Sequence, residues 1–208
     1  MSADVAALVV RAGNLADAAV RRAGRALLGI AGAPGSGKTS LALALARELG
    51  DARAVVVGMD GFHLANRELR RLGRTDRKGA PDTFDAYGFL ALLLRLTTAG
   101  PATVYAPFFD RAVDEAVAGA VAVAPGVPLV IVEGNYLLLD SEPWTRMRPL
   151  LTECWFVRQP RGVRERRLIA RHQRFGESAA RARAHALGSD AANAELVEPT
   201  ATWADLLV

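Results

Sequence analysis

The residues with the clearest chemical meaning form a glycine-rich segment that fits the pattern G-x-x-x-x-G-K-[ST] without a mismatch. Glycines at these positions let backbone N–H groups turn inward around phosphate oxygens, at the positive end of the helix that follows. Lys38 can reach the β- and γ-phosphates of a nucleoside triphosphate, and the Thr39 hydroxyl can ligate Mg²⁺. The predicted phosphate-binding residues are Gly32, Ala33, Pro34, Gly35, Ser36, Gly37, Lys38, Thr39 and Ser40.

This loop predicts a nucleoside triphosphate ligand but not what happens to it. A GTPase would need a guanine-reading N-K-x-D segment, which the sequence does not contain. A motor or transporter ATPase would usually be larger than 208 residues. Two classes remain, a small-molecule kinase and, as the alternative, a regulatory protein that binds a nucleotide with little turnover.

Two carboxylates stand where predicted strands end. Asp60 follows the apolar run 54–57, and Glu133 follows the run 129–132. Phosphoryl transfer to an alcohol needs a base or orienting acceptor for the hydroxyl and acidic or water-mediated support for Mg²⁺. We assign the first role to Asp60 and the second to Glu133, although the roles could be exchanged or shared. The structural alternatives are a helix-capping Asp and a Glu paired with an Arg; His63 is a candidate for substrate contact or simple packing.

An arginine-rich stretch follows the fourth apolar run. At about 100° per residue, Arg164, Arg167, Arg171 and Arg174 fall within an arc of about 80° on one helix face, and Arg166 points away. Guanidinium groups on one side of a helix could close over polyphosphate. The alternatives are a solvated basic face and a nucleic-acid surface; the second is not favoured, because the run lacks interleaved aromatic residues.

The elements that must position these residues alternate along the chain. Apolar runs at 27–31, 54–57, 129–132, 154–157 and 206–208 predict buried strands, and the stretches 38–49 and 86–97 predict helices. Strand–helix alternation indicates an α/β fold with a parallel sheet. A short edge strand is expected at 104–105, with loops at 73–83 and 106–112. Ligands bind at the carboxyl ends of such strands, where the candidate residues fall.

Composition indicates the class of protein and its cellular location. The chain has 208 residues, a net charge of +4 and 51% hydrophobic residues, as expected for one globular domain. Cys154 is the single cysteine and cannot form an internal disulfide, which favours a reducing, cytoplasmic location. The N-terminal residues do not match a signal peptide. The uncharged stretch 116–132 is broken by Pro125 and Pro128 and is shorter than the roughly 20 residues of a membrane span.

Five segments resemble, in order, the uridine kinase, phosphoribulokinase and pantothenate kinase superfamily, and within it the bacterial nucleoside/nucleotide kinase or fructose transport system kinase branch. They are 32–39, 59–63 (MDGFH), 78–85 (KGAPDTFD), 104–111 (VYAPFFDR) and 132–138 (VEGNYLL). The resemblance implies a single P-loop kinase domain over 1–208. It also implies the P-loop NTPase fold, with a five-stranded parallel sheet in the order 2-3-1-4-5 flanked by helices, and a small helical lid at about 160–178.

The same resemblance implies roles for individual residues. Asp60 matches the acid proposed as the base in uridine kinases, Glu133 lies beside Mg²⁺ or the acceptor, and Arg167 and Arg171 match lid arginines. His172 stands where uridine kinases carry Asp, and the 190–193 segment resembles a recurrent element without an assigned role. The residues expected to contact the acceptor are His63, Lys78, Phe84, Tyr105, Arg111 and Tyr136.

The sequence therefore predicts a kinase that moves the γ-phosphoryl of ATP·Mg to a hydroxyl of a small polar metabolite. The expected catalytic residues are Lys38, Asp60, Arg167 and Arg171. Candidate acceptors are a sugar such as fructose, a nucleoside or a pantothenate-like acid, and the basic pair Lys78 and Arg111 slightly favours an acceptor with an acid or phosphate group. We expect no nucleic-acid or membrane partner, and a homodimer is left open.

Overall fold

A computed structural model describes the backbone of residues 3–208 and the side chains of residues 5–208. The helices in this part of the chain, apart from short 3₁₀ turns, are α1 (Ala3–Arg21), α2 (Lys38–Leu49), α3 (Asn66–Leu72), α4 (Ala86–Thr97), α5 (Arg161–Arg174), α6 (Ala179–Leu187) and α7 (Ser189–Val197). The strands are β1 (Ala26–Ala31), β2 (Ala54–Gly58), β3 (Val104–Asp110), β4 (Glu115–Val123), β5 (Leu129–Gly134), β6 (Glu153–Phe156) and β7 (Leu206–Leu207).

Five of these strands form a parallel sheet in the order β2-β5-β1-β6-β7. When only the strands of this sheet are counted, the order is 2-3-1-4-5, as the resemblance implied. The whole-chain numbers differ because β3 and β4 lie outside the sheet. The parallel register aligns the carboxyl ends of β1, β2 and β5, so the residues that follow these strands share one edge.

Side chains of the central strands point alternately to the two faces of the sheet, and both faces are covered by helices. Leu28 and Ile30 of β1 pack in one cluster with small residues of α1 and with Leu45 of α2. Leu27 belongs to the cluster on the other face, which also contains Phe89 and other buried residues of α4. A sheet covered on both faces reads as continuous apolar runs, which is why the sequence predicted its strands. Within residues 3–208, no helix has the combination of length and apolar character needed to cross a bilayer.

The ribbon formed by β3 and β4 corrects two expectations. We expected an edge strand at 104–105 and a loop at 106–112, but β3 runs through most of this segment and pairs antiparallel with β4. The register shifts between Ala106 and Phe108, where Pro107 has no N–H to donate. A Cβ on Gly61 would lie 2.5 Å from the Pro107 carbonyl oxygen, so the ribbon packs tightly against the turn that carries Asp60.

The start of α4 depends on an aspartate cap. The Asp85 side chain accepts a hydrogen bond from the backbone N–H of Gly88 at 2.8 Å. We expect Asp85→Ala to lower the free energy of unfolding by about 0.5–2 kcal/mol, because an N-cap carboxylate satisfies an otherwise unpaired helix N–H. Urea denaturation followed by circular dichroism measures the change. Ser178→Ala removes a longer cap bond, 3.3 Å, from the more exposed α6 and should cost less; equal effects would contradict this ranking.

Candidate active site

The predicted phosphate-binding loop connects β1 directly to α2. Gly35 and Gly37 have φ values of 77° and 100°, in the left-handed region that strains residues with a Cβ. Gly37 in this conformation turns the chain into α2, and the N–H of Ser36 bonds to the Ala33 carbonyl at 3.1 Å. The loop therefore presents the N-terminus of α2 at the carboxyl edge of the sheet, the arrangement that binds phosphate.

A cleft of about 810 Å³ opens above this edge. Its walls come from the loop, from the turns after β2 and β5, from the β3–β4 ribbon and from helices α5 to α7. The cleft brings together nine of the predicted site residues: Pro34, Lys38, Thr39, Asp60, His63, Lys78, Phe84, Arg111 and Arg171.

Asp60 lies in the centre of the charged groups of the cleft. Its Oδ2 accepts a hydrogen bond from Arg111 at 2.7 Å. Burial alone would raise the pKa of Asp60, but His63, Arg111, Lys38 and Arg171 outweigh burial and lower this pKa. His63 contributes because it is protonated at the low pH where Asp60 titrates. Asp60 is therefore ionised across the neutral range, with Oδ1 available to a ligand.

Glu133 has the opposite electrostatic environment. The hydroxyl of Thr39 donates a hydrogen bond to its Oε2 at 3.1 Å, which places the strand-end carboxylate at the phosphate loop. Burial raises the pKa of Glu133, the charge of Asp60 raises it further, and Lys38 opposes both. A hydroxyl and a carboxylate at this spacing are oxygen ligands of the kind Mg²⁺ prefers, so the donor set fits that cation.

His63 has a defined tautomer. Its Nδ1 lies 2.7 Å from the Asp60 carbonyl oxygen, which can only accept, so Nδ1 carries the proton. The ring packs between Phe84 and Phe109, with centroid distances of 4.1 and 4.7 Å. Burial lowers the pKa of His63, although the charge of Asp60 opposes the shift. The imidazole is therefore neutral at neutral pH, and Nε2 is a hydrogen-bond acceptor.

Lys78 lines the cleft, but its charge is compensated. Its Nζ donates to the Asn66 side chain at 2.8 Å and to the carbonyl and carboxylate of Asp114, both at 2.7 Å. These contacts tie the 73–83 segment to the β3–β4 turn. Since Asp60 pairs with Arg111 as well, neither Lys78 nor Arg111 presents an uncompensated charge to an anionic acceptor.

Two predicted substrate residues lie outside the lining of the cleft, which corrects their assignment. Tyr105 is 59% exposed, because it alternates along β3 with the buried Ala106 and therefore faces away from the protein. Tyr136 is buried among Phe84 and Trp144, and its hydroxyl donates to the Gly79 carbonyl at 2.6 Å. Burial raises the pKa of Tyr136, so the hydroxyl keeps its proton. Tyr136 shapes the cleft by holding Gly79.

The four arginines that were predicted to share one face of α5 have four different surroundings. Arg171 lines the cleft, whereas Arg167 lies outside its lining and donates to the Ser36 carbonyl of the phosphate loop at 3.1 Å. Arg164 is buried and packs with Glu198 at 3.4 Å, away from the cleft, and Arg174 is exposed. Helical periodicity places these arginines on one side of α5. It could not show that the phosphate loop contacts Arg167 and that the 198–203 turn contacts Arg164, so that only Arg171 of the four lines the cleft.

Several residues of the cleft were missed by sequence reasoning. Asn135 follows β5 and lines the cleft, and its buried Oδ1 has no hydrogen-bond partner within the described residues. Its position two residues after Glu133, just beyond the carboxyl end of a strand, could have identified it as a residue of the site. Asp190 and Asn193, whose segment had no assigned role, also line the cleft from α7. Glu177 and His185 of the α5–α6 region had no sequence signal, because their spacing matches no motif.

Comparison with known proteins agrees with this geometry. No protein-family profile matches the chain. The solved structure of a "putative fructose transport system kinase" from Silicibacter sp. TM1040 gives a TM-score of 0.84 at 39% identity, over 100% of this chain and 99% of that one. The ATP-dependent kinase-like protein notR' of Aspergillus versicolor is 41% identical over 125 residues, which are 57% of this chain and 73% of that protein.

A third relative is the "Putative uridine kinase C227.14" of Schizosaccharomyces pombe, 35% identical over 156 residues, 71% of this chain and 66% of that protein. All three similarities include a kinase name, and the first extends over the whole fold. The chain therefore belongs to the uridine kinase, phosphoribulokinase and pantothenate kinase superfamily of P-loop kinases, in the branch of the fructose transport system kinase-like proteins.

Proposed function

We propose that this chain transfers the γ-phosphoryl group of ATP to a hydroxyl group of a small, polar metabolite. One observation carries the proposal. The ionised carboxylate of Asp60 shares a cleft with Lys38 of the phosphate loop and with Arg171 of α5. An acceptor hydroxyl beside Asp60 would face a phosphoryl group held between these two cations, the arrangement that phosphoryl transfer requires.

Asp60 acts on the acceptor in this proposal. Its Oδ1 accepts the hydrogen bond of the attacking hydroxyl and orients the oxygen toward phosphorus. As the new O–P bond forms and the β–γ bridging bond breaks, the hydroxyl proton passes to Asp60 and ADP leaves. A carboxylate whose pKa is lowered is a weak base, so proton transfer comes late, when bonding to phosphorus has made the hydroxyl acidic.

The phosphate loop and its neighbours hold the nucleotide. The loop N–H groups and Lys38 bind the phosphates, and Thr39 and Glu133 would hold Mg²⁺, Glu133 through water. Bound Mg²⁺ supplies charge neutralisation on the β- and γ-phosphates. In this proposal Asp60 acts on the acceptor hydroxyl and Glu133 on Mg²⁺. The surroundings of the two carboxyl groups shift their pKa values in opposite directions.

The polar groups of the cleft favour a neutral acceptor with several hydroxyls. His63 lines the cleft, and its neutral ring leaves Nε2 as a hydrogen-bond acceptor for a ligand hydroxyl. Lys78 and Arg111 are compensated by Asp114 and Asp60, which weakens the preference for an acid or phosphate. We therefore place a sugar or nucleoside ahead of a pantothenate-like acid. The buried free thiol of Cys154 supports a reducing, cytoplasmic setting.

The test is ADP release from ATP·Mg with a panel of sugars, nucleosides, pantothenate and phosphosugars. Wild type is compared with Lys38→Ala, which removes the loop cation. We expect one neutral polyhydroxy compound to raise ADP release in wild type and not in the variant. Saturable ATP binding without release for any compound would instead favour the nucleotide-binding regulatory protein. Release with pantothenate alone would contradict the proposed acceptor class but leave the kinase activity standing.

A further inference from the structure

A cluster of three side chains that can bind a metal lies where α5 meets α6, and it includes neither Thr39 nor Glu133. His185 Nδ1 is 3.0 Å from Glu177 Oε1, and His172 Nδ1 is 3.6 Å from the same oxygen. The three donor atoms lie within 4.8 Å of one another. All three residues line the cleft, so the cluster is reached from the same opening as the phosphate loop.

With neutral imidazole rings, this cluster leaves two hydrogen-bond acceptors facing each other. His172 Nε2 lies 2.7 Å from Asp190 Oδ2, and a carboxylate only accepts, so the Nε2 carries a hydrogen. In a neutral ring His172 Nδ1 then has a lone pair, which faces the Glu177 oxygen, itself an acceptor. Two acceptors that face each other at 3.6 Å need either an added proton or a metal cation between them.

The donor set identifies the class of cation. Two imidazole nitrogens and one carboxylate oxygen suit Zn²⁺ and its neighbours Co²⁺ and Ni²⁺, whereas Mg²⁺ prefers oxygen ligands. Tetrahedral bonds of about 2.1 Å would separate the donor atoms by about 3.4 Å, close to the 3.0 and 3.6 Å observed. The Asp190–His172 hydrogen bond is the outer-shell contact that fixes the tautomer of metal-binding histidines.

We propose that His172, Glu177 and His185 bind one divalent transition-metal cation of the zinc class, separate from the magnesium ligands at Thr39 and Glu133. The imidazole rings of His172 and His185 stack at 4.0 Å with 17° between their planes. Because a nitrogen lone pair lies in the ring plane, the rings must splay slightly to converge on the cation. His185 supplies its Nδ1 lone pair by moving its proton to Nε2.

This site would connect the two helices that cover the cleft. Glu177 lies in the short segment between α5 and α6, and His172 directly follows Arg171. A cation bound to all three ligands fixes the end of α5 against α6 and restrains the backbone that carries Arg171. The site therefore binds a cation that stabilises the cover of the cleft.

The chain is well suited to a direct test, because it contains three histidines and one buried cysteine. Tag-free protein is titrated with Co²⁺, followed by visible absorption, and with Zn²⁺ in competition with a metal-indicator dye. The cluster variants are His172→Ala, Glu177→Gln and His185→Ala. His63→Ala is the matched control, since it removes the histidine outside the cluster. Circular dichroism without metal shows that each variant is folded.

We expect one cation per chain and an affinity at least tenfold weaker in every cluster variant, with His63→Ala unchanged. Asp190→Asn should weaken binding by about 10–100-fold, as loss of an outer-shell partner does. At the same Zn²⁺ concentration, the Tm of wild type and of His63→Ala should rise more than that of any cluster variant. Absence of saturable binding would overturn the proposal, as would equal binding by all variants or displacement by equimolar Mg²⁺. The isosteric Glu177→Gln keeps the test decisive if an alanine variant fails to fold.

Discussion

Replacing Asp60 by Asn is expected to lower kcat for phosphoryl transfer by about 10²–10⁴-fold while ATP binding is retained. Asn has the size of Asp and can still accept a hydrogen bond from Arg111, so the turn after β2 keeps its packing against the ribbon. It cannot take the proton of the acceptor hydroxyl, and it loses the charge that orients this group. Steady-state ADP release gives kcat, and titration with a fluorescent ATP analogue gives the nucleotide affinity.

Asp76→Asn is the matched control for this variant. Asp76 lines the same cleft but is exposed and lies on the 73–83 segment, away from the phosphate loop. The same chemical change there should alter kcat by less than about twofold, as expected for a surface carboxylate. An Asp60→Asn enzyme that turns over as fast as the parent would show that Asp60 neither orients nor deprotonates the acceptor. Loss of ATP affinity would place Asp60 with the nucleotide instead.

The main sheet and the phosphate loop could be predicted from sequence because short, continuous patterns of residues identify each of them. Runs such as 129–132 have no polar interruption, since the strand is buried on both faces, and the loop has a fixed glycine and lysine spacing. Asp60 and Glu133 could be placed at one edge because parallel strands end together. The strand order came from the resemblance, because apolar runs do not encode which strands are neighbours.

The β3–β4 ribbon was harder to predict. β4 consists largely of Ala, Val and Gly, half exposed, so its pattern alternates weakly and has no buried face to mark it. Tyr105 and Tyr136 show the corresponding difficulty for side chains. The family resemblance suggested ligand contact for both, yet which way each ring points depends on the register of β3 and on the packing around Trp144.

Ion pairs between residues that are distant in the chain are the feature of the site that sequence alone cannot predict. Lys78 and Asp114 are far apart in the chain, and their contact at 2.7 Å exists only because the ribbon turns back over the 73–83 segment. Counting Lys78 and Arg111 as basic residues suggested an anionic acceptor. Once their partners are known, the neutral His63 ring in the cleft wall offers an uncharged acceptor, which favours a hydroxyl group on the ligand.

Arg171→Ala is expected to lower kcat by about 10²–10³-fold, the effect of removing one charged donor from a transferring phosphoryl group. Arg171 is half-buried in the wall of the cleft. Burial and Arg111 lower the pKa of Arg171, whereas Asp190, Asp60 and Glu133 oppose the shift, and an arginine side chain remains protonated in proteins. Its charge lies near Asp60 and Asp190, which also line the cleft, so it can neutralise charge that develops during transfer. The kcat of the variant is measured at saturating ATP and acceptor.

Arg174→Ala supplies the control, because Arg174 lies on the same side of α5 but is exposed and outside the lining of the cleft. It should retain kcat within about twofold, as other exposed substitutions do. Arg171→Lys should recover part of the activity, since lysine keeps the charge but lacks the planar pair of donors that matches phosphate. If Arg171→Ala and Arg174→Ala have equal kcat values, the charge of Arg171 does not act on the transferred group. Recovery by lysine equal to wild type would show that charge alone, without bidentate geometry, is what the reaction requires.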